Sequence, residues 1–189
     1  GGTQRLPRLV GPAEALKIML SGRHIPAVKA VDMGVIDSLS EGDIVEDAVA
    51  FAKDVAEKNE THPLVRNLNE KVLAARGDEN IISEARALAA KTRKGQFAPG
   101  KIIQCVEAAI NLDDFDEGMK KEAEYFIECL VNPQREAMIH IFFGERAASK
   151  INDVPKETPK MDINKAGIIG SGTMGGGIAM CFANIGIPV

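Results

Sequence analysis

The GxGxxG spacing near the end of the sequence is formed by Gly170, Ser171, Gly172, Thr173, Met174 and Gly175. In such a loop the first glycine permits a tight turn, the second lets the main chain approach a pyrophosphate, and the third lets a helix pack closely on a strand. Residues 165–169 are predicted to form a buried strand, and residues 178–183 favour a helix. The amino end of that helix would offer N–H groups and a partial positive charge to phosphates. The spacing therefore predicts a dinucleotide site, with a glycine-rich structural turn as the alternative.

Metal and thiol chemistry are not favoured by the other candidate residues. The histidines are far apart in the sequence, without HExxH-like spacing, at His24, His62 and His140. The cysteines stand 24 and 52 residues apart, at Cys105, Cys129 and Cys181. This is not a CxxC spacing, and it is typical of reduced intracellular thiols. No metal site is expected.

Composition excludes several classes of protein. The 189 residues carry 23 Lys and Arg against 27 Asp and Glu, a net charge of −4, which gives no support to nucleic-acid binding. Seven of the 18 glycines fall in residues 166–189, a stretch without a charged side chain. A membrane span needs about 20 apolar residues, but so many glycines make this stretch too polar for one. No membrane span is expected.

Short elements are predicted to precede a long helical region. Pro12 suits the first turn of a helix over 13–20, a second helix runs from Pro26 to Gly34, and residues 35–39 alternate like a short strand. Asp43 is predicted to cap a helix with one buried face. Apolar residues then recur at helical spacing in four further stretches, 80–93, 99–112, 119–130 and 133–150. Residues 152–163 are polar and contain two prolines, which predicts a linker.

Two parts of the sequence resemble different enzyme families. The run GSGTMGGGIA at 170–179 resembles the amino-terminal motif of the L-3-hydroxyacyl-CoA dehydrogenases, GxGxMGxGIA. The segments GGTQRLPR at 1–8, SGRHI at 21–25 and MGVID at 33–37 resemble the carboxyl-terminal half of the crotonase (enoyl-CoA hydratase/isomerase) core. Residues 120–150, with FFGER at 142–146, look like the helical tail of a crotonase domain. The two families meet in this order in the multifunctional enzymes of fatty-acid β-oxidation.

The resemblance implies a fold class and a domain order. The parent enzyme is expected to be α/β, with a crotonase-like and a Rossmann domain, and this segment to be mostly α-helical with two or three short strands. Residues 1–40 would end the hydratase core, 41–151 would form its helical tail, 152–163 the linker, and 164–189 the first βα unit of the NAD-binding domain.

The resemblance also implies a two-step reaction on acyl-CoA substrates. A hydratase of this type adds water to trans-2-enoyl-CoA with two glutamates, and backbone N–H groups stabilise the thioester oxyanion. The dehydrogenase then oxidises the L-3-hydroxyacyl-CoA to 3-ketoacyl-CoA with NAD, using a His–Glu pair. In the family these groups lie before Gly1 and after Val189. The chain is therefore expected to be an inactive internal segment without catalytic residues.

Binding residues are implied at three places. The loop residues 170–175 would contact NAD, with Met174 either at the cofactor or packed under the helix. Phe126 and Phe142 keep the spacing of two crotonase phenylalanines that pack near the adenine of CoA, with a core role as the alternative. The tail lysine of the family is replaced by Glu145, which argues against CoA-phosphate binding by this segment.

Two other functions stay open at this stage. One is an NAD(P)-dependent oxidoreductase with a non-catalytic helical amino-terminal domain, and the other is a helical interaction module that binds no nucleotide. A β-oxidation enzyme of this kind would be cytoplasmic in a bacterium or peroxisomal in a eukaryote. The sequence does not indicate an oligomeric state.

Overall fold

Helices are the regular structure of residues 1–58, 64–155 and 157–189, the part of the chain that the computed structural model describes. In chain order they are α1 (Gly2–Val10), α2 (Pro12–Ser21), α3 (Ala27–Asp32), α4 (Ile44–Lys58), a 3₁₀ turn (Val65–Asn67), α5 (Glu70–Ala74), α6 (Glu79–Thr92), α7 (Ala98–Asn111), α8 (Phe115–Val131), α9 (Pro133–Ala148) and α10 (Thr173–Asn184). The contacts within the chain divide it into two compact units, Gly1–Ile141 and Phe142–Val189.

The fold-class expectation of two or three short strands in this mostly α-helical segment of an α/β parent is wrong, because no strand occurs in the described ranges. Residues 35–39 do not pair with a strand, since the N–H groups of Val35 and Ile36 both donate to the Ala30 carbonyl at the end of α3. Residues 165–169 make one backbone hydrogen bond to another segment, from the Ala166 N–H to the Pro188 carbonyl at 2.9 Å. A single bond does not make a ladder, and without a neighbouring strand the apolar Ile169 is fully exposed.

The predicted helix starts and stops are confirmed where the local chemistry is strong. Pro12 begins α2, and Gly22 ends it in the left-handed conformation, with φ of 65°. The Asp43 carboxylate accepts hydrogen bonds from the N–H groups of Val45 and Glu46 at the start of α4. The carboxylates of Asp78 and Asp114 cap α6 and α8 in the same way. Each such cap stabilises its helix by about 1 kcal/mol.

The core of the first unit lies between α2, α6 and α7, with one residue that follows α5. It consists of Leu16, Leu20, Ala75, Ile82, Ala85, Ile103, Val106 and Ile110. These residues recur at steps of three, four or seven on their own helices, so that each helix turns one apolar stripe inward. Helix α7 is central, because it contacts α1, α2, α6 and α8.

Helix α1 was not predicted from the sequence, and polar side chains hold it in place. Gln4 is fully buried and donates from Nε2 to the Cys105 carbonyl of α7 at 2.8 Å. Arg8 is 3% exposed and donates to the carbonyl of Gln4 and to Oδ1 of Asn69. The Arg8 guanidinium also lies 4.9 Å from the centre of the Phe115 ring. Tertiary contacts of this kind leave no apolar periodicity in the sequence.

The prediction that α4 buries one face is wrong. None of its residues is buried, and its apolar side chains Val45 and Val49 are exposed. Helices α9 and α10 likewise have no buried residue. Amphipathic spacing therefore correctly predicts that α4 and α9 are helices, but it does not determine what they pack against.

Candidate functional site

The loop that carries the GxGxxG spacing has the backbone geometry that the spacing demands. Gly170 has a φ of 104°, a conformation that residues with a side chain rarely adopt. A Cβ placed on Gly175 would overlap the backbone carbonyl oxygen of Gly170, and it would lie 3.5 Å from Cγ2 of Ile168. The close approach of α10 to the preceding chain thus requires glycine at 175.

The side of the loop that would face a ligand is open. Gly172 is the N-cap of α10, and a Cβ placed on it would meet no atom within 4 Å. The first bond inside the helix runs from the Gly176 N–H to the Gly172 carbonyl at 3.1 Å. The N–H groups of Thr173, Met174 and Gly175 precede that bond and point out of the helix end. This arrangement suits an anionic group.

The side chains of the loop are accessible. Ser171 and Thr173 are exposed, and neither caps α10 with its hydroxyl. Met174 is 75% exposed, so the alternative in which it packs under the helix is not what the structure shows. Residues 166–189 contain no charged side chain. The loop offers backbone N–H groups rather than charged side chains to a phosphate.

A cavity of about 860 Å³ lies between α1, α2, α7 and α8 in the first unit. Its lining is mainly apolar and includes Leu6, Met19, Ile102, Met119, Ala123 and Phe126. Phe126, which the sequence assigned to CoA or to the core, is 61% exposed and is therefore not a core residue. The volume of this cavity lies within the range of cavities that hold small ligands, roughly 300 to 1,000 Å³.

One side of this cavity carries polar groups. Lys101 forms an ion pair with Glu128 at 2.6 Å, and its Nζ lies 5.0 Å from the centre of the Tyr125 ring. Glu122 accepts a hydrogen bond from the Thr3 hydroxyl. The result is an apolar hollow with a few polar groups at its wall, the usual composition of a ligand site.

A second cavity, of about 500 Å³, shares Phe126 and Cys129 with the first. Gln134, in its lining, connects two parts of the chain: its Oε1 accepts from the Phe97 N–H at 2.8 Å, and its Nε2 donates to the Gly95 carbonyl at 2.7 Å. Phe126 thus lines both cavities, so that its side chain is within reach of a ligand in either one. Sequence reasoning missed both cavities, because helices distant in the sequence form them.

Phe142 belongs to the second unit. Its ring packs edge to face against Phe143 at 5.3 Å, and the Arg146 guanidinium lies 3.4 Å from its centre. Phe142 is 49% exposed and Phe143 is 62% exposed. The prediction that Phe126 and Phe142 contact CoA stays a prediction.

The cysteines and histidines do not form a reactive site in the described residues. Burial raises the pKa of the Cys105 thiol and that of the Cys129 thiol, and the positive charge of Lys101 opposes the shift at Cys129. Both thiols are therefore protonated at neutral pH and behave as small apolar groups. His24 and His140 are exposed, and His62 lies outside the described residues.

Neither a cluster of metal ligands nor a membrane-spanning helix occurs in the described ranges. No group of three or more His, Cys, Asp or Glu side chains is arranged to hold a metal ion there. Among the helices described, none is long and apolar enough to cross a bilayer.

Comparison with known proteins extends these observations. A family model described as "Enoyl-CoA hydratase/isomerase" matches residues 1–120. The chain is 35% identical over 192 residues to a "Peroxisomal bifunctional enzyme" of Cavia porcellus, and 34% identical over 194 residues to the one of Homo sapiens. Both alignments cover 100% of this chain and 26% of the relative.

Bacterial proteins are similar to the same extent. A "Fatty acid oxidation complex subunit alpha" of Shewanella sp. (strain MR-4) is 38% identical over 183 residues, which are 95% of this chain and 25% of that protein. The chain therefore spans about a quarter of the length of the curated relatives that it matches. The glycine loop lies outside the family match, yet inside the alignments that cover the whole chain.

Proposed function

Because the chain belongs to the enoyl-CoA hydratase/isomerase family, we propose that it is part of a bifunctional enzyme of fatty-acid β-oxidation. The enzyme hydrates trans-2-enoyl-CoA to L-3-hydroxyacyl-CoA and then oxidises this product with NAD to 3-ketoacyl-CoA. The relatives' name "bifunctional enzyme" supports two activities in one protein, and the name "fatty acid oxidation complex" supports a place in fatty-acid oxidation. By the same argument the enzyme is peroxisomal in a eukaryote or cytoplasmic in a bacterium.

One observation carries the proposal: within a single chain, the family match at 1–120 is followed by the glycine loop at 170–175. A hydratase alone has no need for a phosphate-binding loop. A nucleotide-dependent enzyme with an unrelated helical domain would not match the hydratase family, and an interaction module would not need the open backbone at Gly172. Both alternatives leave one half of the chain unexplained.

The loop residues fit the pyrophosphate of NAD. The bare backbone at Gly172 admits a phosphate, and the N–H groups of Thr173, Met174 and Gly175 donate to its oxygens. Ser171 and Thr173 flank the phosphate with their hydroxyls, and the exposed Met174 covers the cofactor. When bound, NAD accepts the hydride from the substrate. The chain itself holds the cofactor and supplies no catalytic residue.

Phe126 and the cavity beside it fit the acyl-CoA substrate. An exposed aromatic ring that lines both cavities can stack on an adenine, and the apolar lining can shelter the rest of the ligand. Phe142 is the second candidate for such a contact. Glu145 stands where a lysine would bind a CoA phosphate, so that charge must come from elsewhere in the enzyme.

The domain order follows from the same proposal. Residues 1–40 end the hydratase core, 41–151 form its helical tail, 152–163 link it to the dehydrogenase, and 164–189 begin the nucleotide-binding part. The described residues of the linker are all exposed, as a connection between domains would be.

Binding of NAD tests the proposal at one atom. Gly172→Ala adds a methyl group where the structure has no neighbour within 4 Å, so the fold has room for it. The same methyl group lies where a pyrophosphate would approach. We expect the variant to keep its helix content and thermal midpoint, while its affinity for NAD falls at least about tenfold. Isothermal titration of the chain with NAD measures the affinity, and circular dichroism measures the fold.

Gly177→Ala is the matched control, because a Cβ there also meets no atom within 4 Å and the residue lies inside α10 rather than in the loop. Its NAD affinity should stay within about twofold of the unchanged chain. Equal NAD affinity in all three proteins would refute the assignment of the loop.

A further inference from the structure

A third cavity, of about 290 Å³, lies at the carboxyl end of α2 in the first unit. Its residues are distinct from the glycine loop and from the cavities next to Phe126. The ionisable side chains in its lining are Glu14, Lys17, Arg23, His24 and Lys29. Three full positive charges thus face one carboxylate, in a chain whose net charge is −4.

The positive charges are largely uncompensated. Lys17 and Glu14 are 3.6 Å apart, and both are exposed, so their attraction is weak. In the ranges that the structure describes, Arg23 and Lys29 form no ion pair within 4 Å. Both side chains are exposed and free to turn toward a ligand.

A fourth cation, Arg93, binds two backbone carbonyl groups that would otherwise repel an anion. The carboxyl end of a helix carries partial negative charge on its last carbonyl groups. At the end of α2, Arg93 donates from Nε to the Leu20 carbonyl at 2.9 Å and from a terminal nitrogen to the Ser21 carbonyl at 2.6 Å. The guanidinium neutralises this helix end and adds positive charge beside the cavity.

The floor of the cavity is apolar. Ile18, Ile25 and Met33 are half-buried there, whereas the basic side chains are at the rim. A bare surface patch of lysines would lack such a floor. The combination fits a ligand with an anionic group and an uncharged body, and arginine binds phosphate with two parallel hydrogen bonds.

We propose that this cavity binds a small phosphate-bearing organic molecule, with Arg23 and Lys29 on the phosphate and Lys17 and Arg93 raising the local potential. Its volume, about 290 Å³, is at the lower limit for ligand sites and suits a phosphate with a small body. The site is separate from the NAD and acyl-CoA sites proposed above and does not depend on them.

The test uses the chain with Gly172→Ala, so that the glycine loop does not contribute to phosphate binding. Inorganic pyrophosphate and ADP are titrated by calorimetry at low ionic strength, because salt screens exposed charges. Arg23→Gln with Lys29→Gln removes two charges from the rim. We expect this double variant to bind both probes at least about tenfold more weakly.

Lys53→Gln with Lys120→Gln is the matched control, since it removes two positive charges from exposed positions on α4 and α8. Its affinity should stay within about twofold. Because ADP can also contact Phe126, tighter binding of ADP than of pyrophosphate identifies a nucleotide as the ligand of this cavity only where the rim variant weakens it and the control does not. Equal binding of the two probes under the same condition identifies recognition through the phosphate group.

Three results would overturn the proposal. They are no heat from either probe up to about 10 mM, equal weakening in the rim variant and the control, and binding to phosphatidylserine vesicles without binding to either probe. The last would assign the basic rim to a membrane surface. Each outcome is independent of NAD binding, which is measured in the chain with Gly172 intact.

Discussion

Gly170, Gly172 and Gly175 each lack a side chain for a different physical reason. Gly170 needs its freedom because the turn has a φ of 104°. Gly175 needs its small size because the Gly170 carbonyl occupies the place of a Cβ. Gly172 has neither constraint, and its surroundings are empty. Two of the three glycines are therefore explained by folding, and only the third has a role that depends on a ligand.

Thiol reactivity gives a prediction at the residue scale. Burial raises the pKa of Cys105, so the thiolate that reacts with iodoacetamide forms at higher pH than in an ordinary cysteine. Cys181 is exposed. At about pH 8 we expect Cys181 to be alkylated at least about tenfold faster than Cys105 in the folded chain. Peptide mass spectrometry over time measures both rates.

The pH dependence follows from the direction of this shift. Because the pKa of Cys105 is raised in the folded chain, the contribution of this thiol to the free energy of unfolding is present at neutral pH and is lost as the pH rises through the folded pKa.

The alkylation experiment has two controls. Unfolding in denaturant should abolish the difference in alkylation rate between Cys181 and Cys105, and Cys181→Ser identifies the fast signal. Equal rates in the folded chain would contradict the burial of Cys105.

At the scale of elements, α7 and α4 differ in what their apolar faces touch. Ile103 on α7 is 2% exposed and belongs to the core, whereas Val49 on α4 is 48% exposed. Ile103→Ala should lower the free energy of unfolding by about 2 to 5 kcal/mol. Val49→Ala should change it by no more than about 0.5 kcal/mol. Urea unfolding followed by circular dichroism measures both values.

The pair serves as its own control, since each variant shortens one β-branched residue in a helix interior. A large loss for Val49→Ala would show that α4 buries that side chain against some other part of the protein. A loss below about 1 kcal/mol for Ile103→Ala would contradict the core between α2, α6 and α7.

Local chemistry decided which elements the sequence could predict. Pro12, Asp43 and Gly22 act on their own neighbours, so the helix ends that they set were predicted correctly. The segments 35–39 and 165–169 have the composition of strands, but a strand needs a partner that these segments lack in the described residues. Helix α1 escaped prediction because buried Gln4 and Arg8 hold it through long-range contacts.

The candidate site shows the same division. The loop at 170–175 is a local motif, and its backbone agrees with the spacing. The cavities around Phe126 arise where helices far apart in the sequence meet, and the cavity at the end of α2 lies where α2 meets α3 within residues 14–33. No periodicity in one segment reports such a meeting, so these sites became visible only in the structure.

At the scale of the whole molecule, the chain is a quarter as long as its curated relatives. Large apolar side chains are exposed on α4, and in the second unit they include Ile169, Met174 and Met180. Exposed apolar surface of this extent is typical of sites that contact another polypeptide or a ligand. In the proposed enzyme the remaining domains supply that contact, together with the catalytic groups.

A coupled assay tests the bifunctional enzyme most directly. The full-length protein that contains this chain is given crotonyl-CoA and NAD, and loss of the enoyl absorbance is followed together with formation of NADH. We predict that NADH forms from the enoyl substrate without another enzyme, and that at limiting NAD Gly172→Ala slows NADH formation at least about tenfold while hydration continues. Hydration without NADH in the unmodified protein, or NADH formation unaffected by Gly172→Ala, would contradict the account.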